Sequence, residues 1–289
     1  MTAFPSLESF LTAPAEEVAQ VAPATVIYAP GGTRRRAALA GIAPHSDAYV
    51  HWSREQMLAS VALFFRLGVR NLFMNVLRPP QLAEVGRYRE RVLDWLAWGI
   101  AGPEALAAYA RLGWRVRLLG TACLPELDAA AEQLRVATPA QSAQTLWFFV
   151  MPTPEAPWQW LRAACADTRP ITTTEAIRAL YGEDLPLATM YFGFGKPLIA
   201  PDLLPPLIAG ELQCYWTQRP GYEQDERLLR QIVYDYAYLR STWTQDKEAR
   251  YTDIRSQRER WEQPLVLGLG QRLGPFWYPK SDHFGRGDP

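Results

Sequence analysis

The sequence predicts a single α/β domain, a mainly parallel six-stranded sheet flanked by helices. Three observations support this. Short apolar runs rich in β-branched and aromatic residues recur along the chain, and most are apolar throughout, as strands covered on both faces require. These runs alternate with segments whose apolar residues repeat at helical spacing. No internal repeat or low-complexity linker interrupts the 289 residues, so one domain is expected over 1–289, with its core at about 24–251 and an extended tail over 263–289.

The elements follow in order. Residues 5–20 have the pattern of a short amphipathic helix, and "ATVIYAP", 24–30, is the first buried strand. "SREQMLASVALFFRLG", 53–68, is a helix stopped by Gly68, and 69–77 is the second strand. Residues 79–100 form a helix with Pro near its start and an apolar stripe through Val92, Leu93, Leu96 and Ala97. A helix at 103–113, a strand at 114–120, a helix at 124–138 and a strand at 143–152 come next. Residues 171–182 open with a Thr cap and an acidic first turn. Residues 185–195 are a fifth strand, 202–210 a short helix interrupted by prolines, 212–218 a sixth strand, and 223–251 a long helix. The Gly- and Pro-rich tail from Gln263 is expected to wrap the surface or a partner.

Composition narrows the function classes. Thirty basic residues balance thirty acidic ones, so overall charge gives no argument for nucleic acid, and any anion site must be a local cluster. Cys123, Cys165 and Cys214 are widely spaced and form no CxxC pair, which excludes the usual zinc and disulfide frameworks. The first twenty residues lack a basic segment followed by a long apolar core, so no signal peptide is expected. No run reaches the ~18 apolar residues of a membrane span. A cytoplasmic protein is expected.

The densest cationic cluster lies in "VIYAPGGTRRRAAL", where a strand ends in Pro30-Gly31-Gly32 and three arginines open a helix. In a parallel sheet, ligands gather beyond the carboxyl ends of the strands. Glycines let the backbone approach a ligand, and a helix start exposes unpaired N–H groups. Arg34 and Arg35 add permanently charged forks suited to phosphate oxygens. A phosphate or diphosphate site follows, against the plainer alternative of a solvated first helical turn. The common phosphate loops GxxxxGK[ST] and GxGxxG are both absent.

"APGGTRRRA" resembles the "MDGNRRWA" signature of the cis-prenyltransferases, the undecaprenyl diphosphate synthase family. Gly32, Thr33, Arg34, Arg35 and Ala37 match its Gly, Asn, two basic positions and Ala. Four further stretches follow in family order: "HWSREQMLASVALFFRLGVRNLFM", "ARLGWRVRLLGTACLPE", "TLWFFVMP" and "LQCYWTQRPGYEQDERLLRQIVYDYAYLR". Together they cover roughly residues 24–245.

The departures carry information. The family's Mg-binding Asp is Gly31 here, and its "RTxGExRxSNF" segment, which binds isopentenyl diphosphate, corresponds to about 191–203, where only Gly193 remains of the named residues. One diphosphate pocket is therefore expected to survive without the condensation partner. This pattern resembles the bacterial diterpene synthases on the cis-prenyltransferase fold, the tuberculosinol synthase and kolavelool synthase type; the tuberculosinol type carries "DGTRR" where this chain has "GGTRR". The resemblance implies a terpene synthase of lyase type. It would ionise an allylic bicyclic diterpenyl diphosphate of kolavenyl or halimadienyl type and capture the cation with water. The product would be a diterpene alcohol such as kolavelool, plus diphosphate. It further implies Mg²⁺ with unassigned ligands, an isoprenoid diphosphate substrate from a class II diterpene cyclase, and a homodimer. A short-chain cis-prenyl diphosphate synthase and an inert cis-prenyltransferase-like partner subunit are the alternatives.

Arg34, Arg35 and the helix start would stabilise charge on the leaving diphosphate, and aromatic faces would wall the allylic cation. Tyr49 and Tyr88 lie at spacings resembling two active-site tyrosines of the tuberculosinol type, and His51 corresponds to the family's histidine after the motif. These three are the catalytic candidates; a loop tyrosine, a core tyrosine and a structural histidine are the ordinary alternatives. Gly31, Gly32, Thr33, Arg34 and Arg35 are the diphosphate candidates. Asn75, Trp147 and Phe149 are pocket candidates, with a place in the core as the plainer account of the latter two. His45 and His283 have weaker claims. Arg219 is placed near the site by topology, and Glu223, Asp225 and Glu226 resemble the family's "DEQD" segment, with first-turn helix charges as the plainer account.

Overall fold

Six strands form one parallel sheet: β1 (Thr25–Ala29), β2 (Asn71–Leu77), β3 (Arg115–Leu119), β4 (Thr145–Val150), β5 (Ala188–Phe194) and β6 (Ala209–Thr217). This is a computed structural model, and it describes residues 4–166, 168–240, 247–263 and 266–280. The strand order is β3-β4-β2-β1-β5-β6, so β1 lies between the second and fifth strands in sequence. The chain leaves β1 toward β2 on one side and returns at β5 on the other. The crevice beyond the carboxyl ends of β1 and β5 is therefore the topological switch point, where such sheets bind ligands.

Both faces of the sheet are covered. Val26, Tyr28, Leu72, Met74 and Phe148 face one core, packed by helix Asp47–Arg66 and its neighbours. Ile27, Phe73, Trp147, Phe149 and Tyr191 face the other, packed by helices Ala156–Cys165 and Thr173–Tyr181. Successive strand side chains alternate between faces, so two cores at once produce the unbroken apolar runs in the sequence.

Several expected elements are corrected. The 5–20 helix is two helices, Leu7–Thr12 and Ala15–Val21, because Ala13 before Pro14 is extended (ψ 153°) and proline cannot continue a helix. The 79–100 helix is likewise divided into Pro79–Leu82 and Arg87–Ala101, with Gly86 at φ 77° between them. Helix Ala156–Cys165, with Pro157 in its first turn, was not expected. The 202–210 helix is only a 3₁₀ turn, Pro201–Leu203, because Pro205 and Pro206 prevent its extension. The 223–251 helix ends its α-geometry at Tyr234, passes through a π-turn at Asp235–Leu239, and a separate helix spans Lys247–Ser256; residues 241–246 lie outside the described residues. The tail forms an antiparallel hairpin, β7 (Gly270–Leu273) and β8 (Phe276–Pro279), turning at Gly274 with φ +58°. No described helix is long and apolar enough to cross a membrane.

Candidate active site

Pro30-Gly31-Gly32 leaves the carboxyl end of β1 and enters helix Thr33–Leu39. Gly32 caps that helix in the left-handed region (φ 71°), which a residue with a Cβ adopts only under strain. Phe194, the last residue of β5, lies against both glycines. A Cβ added at Gly31 would sit 2.7 Å from its ring, and one at Gly32 would sit 2.8 Å away. The space a side chain at position 31 would need is therefore filled by Phe194. The loop is tied from the other side by the Gly221 N–H, which donates to the Gly31 carbonyl at 2.6 Å.

The three arginines have different partners. Arg34 donates two parallel bonds to Glu84, at 2.5 and 2.6 Å. Arg36 pairs with Glu223 at 2.9 Å. The Arg35 guanidinium instead lies 5.3 Å from the Phe194 ring centre and 4.1 Å from that of Phe276, and its buried Nε–H has no acceptor among the described residues. Helix Thr33–Leu39 is only seven residues long, so the positive charge here rests on guanidinium groups more than on a helix dipole. Thr33 Oγ1 and the Tyr49 phenol are hydrogen-bonded at 2.8 Å, which brings these two candidates together at the loop.

Beside the loop is a cavity of about 210 Å³ lined by Gly31, Asn75, Arg78, Tyr191, Phe194 and Lys196, with Leu198 and Leu203 among its apolar walls. Asn75 Nδ2 donates to the Asp202 carbonyl at 2.5 Å, while its buried Oδ1 has no partner among the described residues. Arg78 Nε donates to the Asp202 carboxylate at 2.7 Å. Burial pushes the Tyr191 phenol up to about 12, so it is a protonated donor at neutral pH. Sequence reasoning missed Arg78, Lys196 and Phe194. The available signal was the crevice rule: "FGK" follows β5 as "GGTRR" follows β1, and both loops meet at the switch point.

The other candidates lie elsewhere. His51 is exposed; its Nδ1 is 3.2 Å from Arg54 Nη2, and its ring meets Trp98 edge-on at 4.3 Å. Because Arg54 can only donate, Nδ1 accepts, which leaves the proton of a neutral ring on Nε2. Trp147 stacks on Phe73 at 5.6 Å and donates Nε1–H to Asn71, and Phe149 is fully buried in the same core. Neither lines the cavity beside Gly31. Tyr88 lies in the first turn of helix Arg87–Ala101, with its side chain outside the described residues, as is His283. His45 is exposed.

A second, more open cavity of about 410 Å³ lies between helix Asp47–Arg66 and the loop after β6. At its base the Tyr28 phenol donates to Gln224 at 2.9 Å, and burial raises that phenol above its ordinary range. Arg219 at its rim is held by Asp225 at 2.8 Å. Asp225 caps helix Glu226–Tyr234 by accepting from the Leu228 N–H, and Glu226 pairs with Arg230 and Arg66, so these acids act as first-turn charges.

A carboxylate-bound Mg²⁺ does not suit this loop. Phe194 fills the space beside Gly31, and the carboxylates of Glu84, Asp202 and Glu223 are each engaged by an arginine. Among the described residues no three His, Cys, Asp or Glu side chains cluster to hold a metal.

No family model matches the sequence. The chain is 46% identical over 278 residues to (+)-kolavelool synthase of Herpetosiphon aurantiacus, covering 96% of each protein. It is 25% identical over 300 residues to tuberculosinyl adenosine transferase of Mycobacterium tuberculosis, covering 96% of this chain and 99% of that one. Its fold is similar to that of lavandulyl diphosphate synthase from Lavandula x intermedia, solved with dimethylallyl diphosphate, at a TM-score of 0.58 and 12% identity over 76% of this chain and 97% of the other. With near-half identity along almost its whole length and a switch-point loop of the expected form, the chain belongs to the diterpene synthases built on the cis-prenyltransferase fold.

Proposed function

We propose that this protein ionises one allylic bicyclic diterpenyl diphosphate, of kolavenyl or halimadienyl type, and captures the cation with water. The products are a diterpene alcohol such as kolavelool and diphosphate. The observation that carries the reading is the near-half identity to a kolavelool synthase over 96% of both chains. The switch-point crevice supports it, with Arg78 and Lys196 at its edge, Tyr191, Phe194, Leu198 and Leu203 along its wall, and Arg34 and Arg35 on the adjoining β1 loop, Arg35 against Phe194.

In the reaction the allylic C–O bond breaks heterolytically and its electron pair leaves with the diphosphate. Arg34, Arg35 and Lys196 stabilise the negative charge that accumulates there, and do so more strongly in the transition state than in the bound substrate. Arg34 exchanges Glu84 for a diphosphate oxygen. The carbon skeleton, now cationic, rests against apolar and aromatic walls that offer no competing nucleophile. Water adds through oxygen to one carbon and passes a proton to the released diphosphate, and Asn75, whose Oδ1 has no partner among the described residues, orients that water. Tyr49 shapes the loop through Thr33, while Tyr88 and His51 remain proposed members of the catalytic group.

Prenyl diphosphate enzymes generally use a divalent metal. Any Mg²⁺ would have its charge balanced by diphosphate oxygens rather than by a carboxylate at position 31. The bicyclic substrate requires a class II cyclase upstream, and we place the enzyme in the cytoplasm as a homodimer.

Incubation tests the reading. Kolavenyl diphosphate, or its halimadienyl isomer, is supplied with Mg²⁺ and the products are separated by gas chromatography. A diterpene alcohol is expected. A lengthened diphosphate from farnesyl and isopentenyl diphosphates, or no turnover of any of these, overturns it.

A further inference from the structure

Of the three consecutive arginines, Arg34 and Arg36 are each held by a carboxylate. Arg35 makes no ion pair among the described residues; its guanidinium lies against two aromatic rings, Phe194 from the end of β5 at 5.3 Å and Phe276 from the C-terminal hairpin at 4.1 Å. Ring faces on a guanidinium displace water from above and below it but leave its in-plane N–H donors free. One of these, Nε–H, is buried without an acceptor among the described residues, which is unfavourable until an anion supplies one.

The hairpin is fixed where Phe276 can act. Its strands pair from Gly270↔Pro279 to Leu273↔Phe276, Trp277 packs over Gly270, and the Lys280 N–H donates to the Leu269 carbonyl at 3.0 Å. Just before it, Gly268 sits against Pro197, next to Lys196 at the cavity, with a Cβ there 3.7 Å from the proline ring. The tail thus touches the site on both sides, at the β1 loop and at the β5 loop.

We propose that Phe276 is a positioning residue for Arg35: the C-terminal hairpin holds the guanidinium edge-on to the cradle and shields it from water, so that Arg35 meets the substrate's diphosphate in a bidentate geometry. This rests on the reading of the glycine–arginine loop as a diphosphate site. It explains why a segment about 240 residues distant in sequence packs on the first loop.

The test titrates inorganic pyrophosphate to millimolar concentration into the full chain by calorimetry. Phe276 is 47% exposed, so its variants leave the core intact, which circular dichroism checks. Phe276→Ala is expected to weaken binding roughly tenfold, the scale of a partly desolvated cation–π contact. Phe276→Tyr retains the ring face and binds like wild type, whereas Phe276→Leu, with bulk but no ring, binds like the alanine variant. Phe276→Ala combined with Arg35→Ala binds no more weakly than Arg35→Ala alone. Unchanged affinity in Phe276→Ala, or losses that simply add in the double variant, overturns the proposal and leaves the diphosphate site standing. Failure of the wild type to bind pyrophosphate overturns the site and the proposal together.

Discussion

Gly31→Asp restores the residue found at this position in the elongating relatives, and the structure predicts that it harms this protein. Gly31 has no positive φ, so its backbone accepts any side chain and the obstacle is space. The new Cβ would lie 2.7 Å from Phe194 Cδ1 and 3.4 Å from Phe194 Cβ. A ring anchored that closely to its own strand cannot swing clear without leaving Arg35. Overpacking of this kind costs about 1–3 kcal/mol, which in a chain of this size lowers Tm by about 2–12 °C. Thermal and urea unfolding read the loss, and turnover of the diterpenyl diphosphate falls with it. In Gly31→Asp/Phe194→Ala the clash is gone, so the double variant is more stable than the sum of the two single losses by at least about 1 kcal/mol. Gly31→Asp within ~0.5 kcal/mol of wild type, or strict additivity in the cycle, refutes the claim that Phe194 has taken the carboxylate's place.

Three other outcomes are expected. Arg34→Ala and Arg35→Ala each lower kcat/KM by about 10²-fold or more, because each removes a donor from the leaving group, and steady-state kinetics with purified variants checks this. Lys196→Ala lowers kcat/KM by roughly tenfold with little change in unfolding, since Lys196 is an exposed cation at the cavity mouth. Asp225 is held below its ordinary carboxylate value, first by the Leu228 N–H and then by Arg219. Its folded value is depressed, so its stabilisation is present above the unfolded value of 3.8 and is lost as pH falls through the folded value. The side chain is 55% exposed, which holds the gain to about 0.5 kcal/mol or less. Asp225→Asn retains the helix cap, loses this small gain at neutral pH, and matches wild type in acid unfolding.

The fold was legible because strands buried on both faces leave unbroken apolar runs, and the intervening helices show their period. What escaped was local. Pro14 and Gly86 divide helices that apolar spacing alone makes continuous, and Pro205 and Pro206 reduce an expected helix to a turn. At the site, Gly31 to Arg35 were legible because they are contiguous and carry their own chemistry. Arg78, Lys196, Phe194 and Phe276 were not, because strand order brings them to the loop from distant positions. Trp147 and Phe149 show a different limit. On a strand with two buried faces, sequence does not say which face a ring takes, and these two took the core opposite helix Asp47–Arg66.

The central claim is that this crevice ionises a single bicyclic diterpenyl diphosphate and passes the cation to water. Turnover of kolavenyl diphosphate in water enriched in heavy oxygen tests it most directly, with the product read by mass spectrometry. The account predicts one diterpene alcohol whose oxygen carries the label. An unlabelled alcohol, which would retain the substrate's own oxygen, or the absence of a diterpene alcohol, would contradict it.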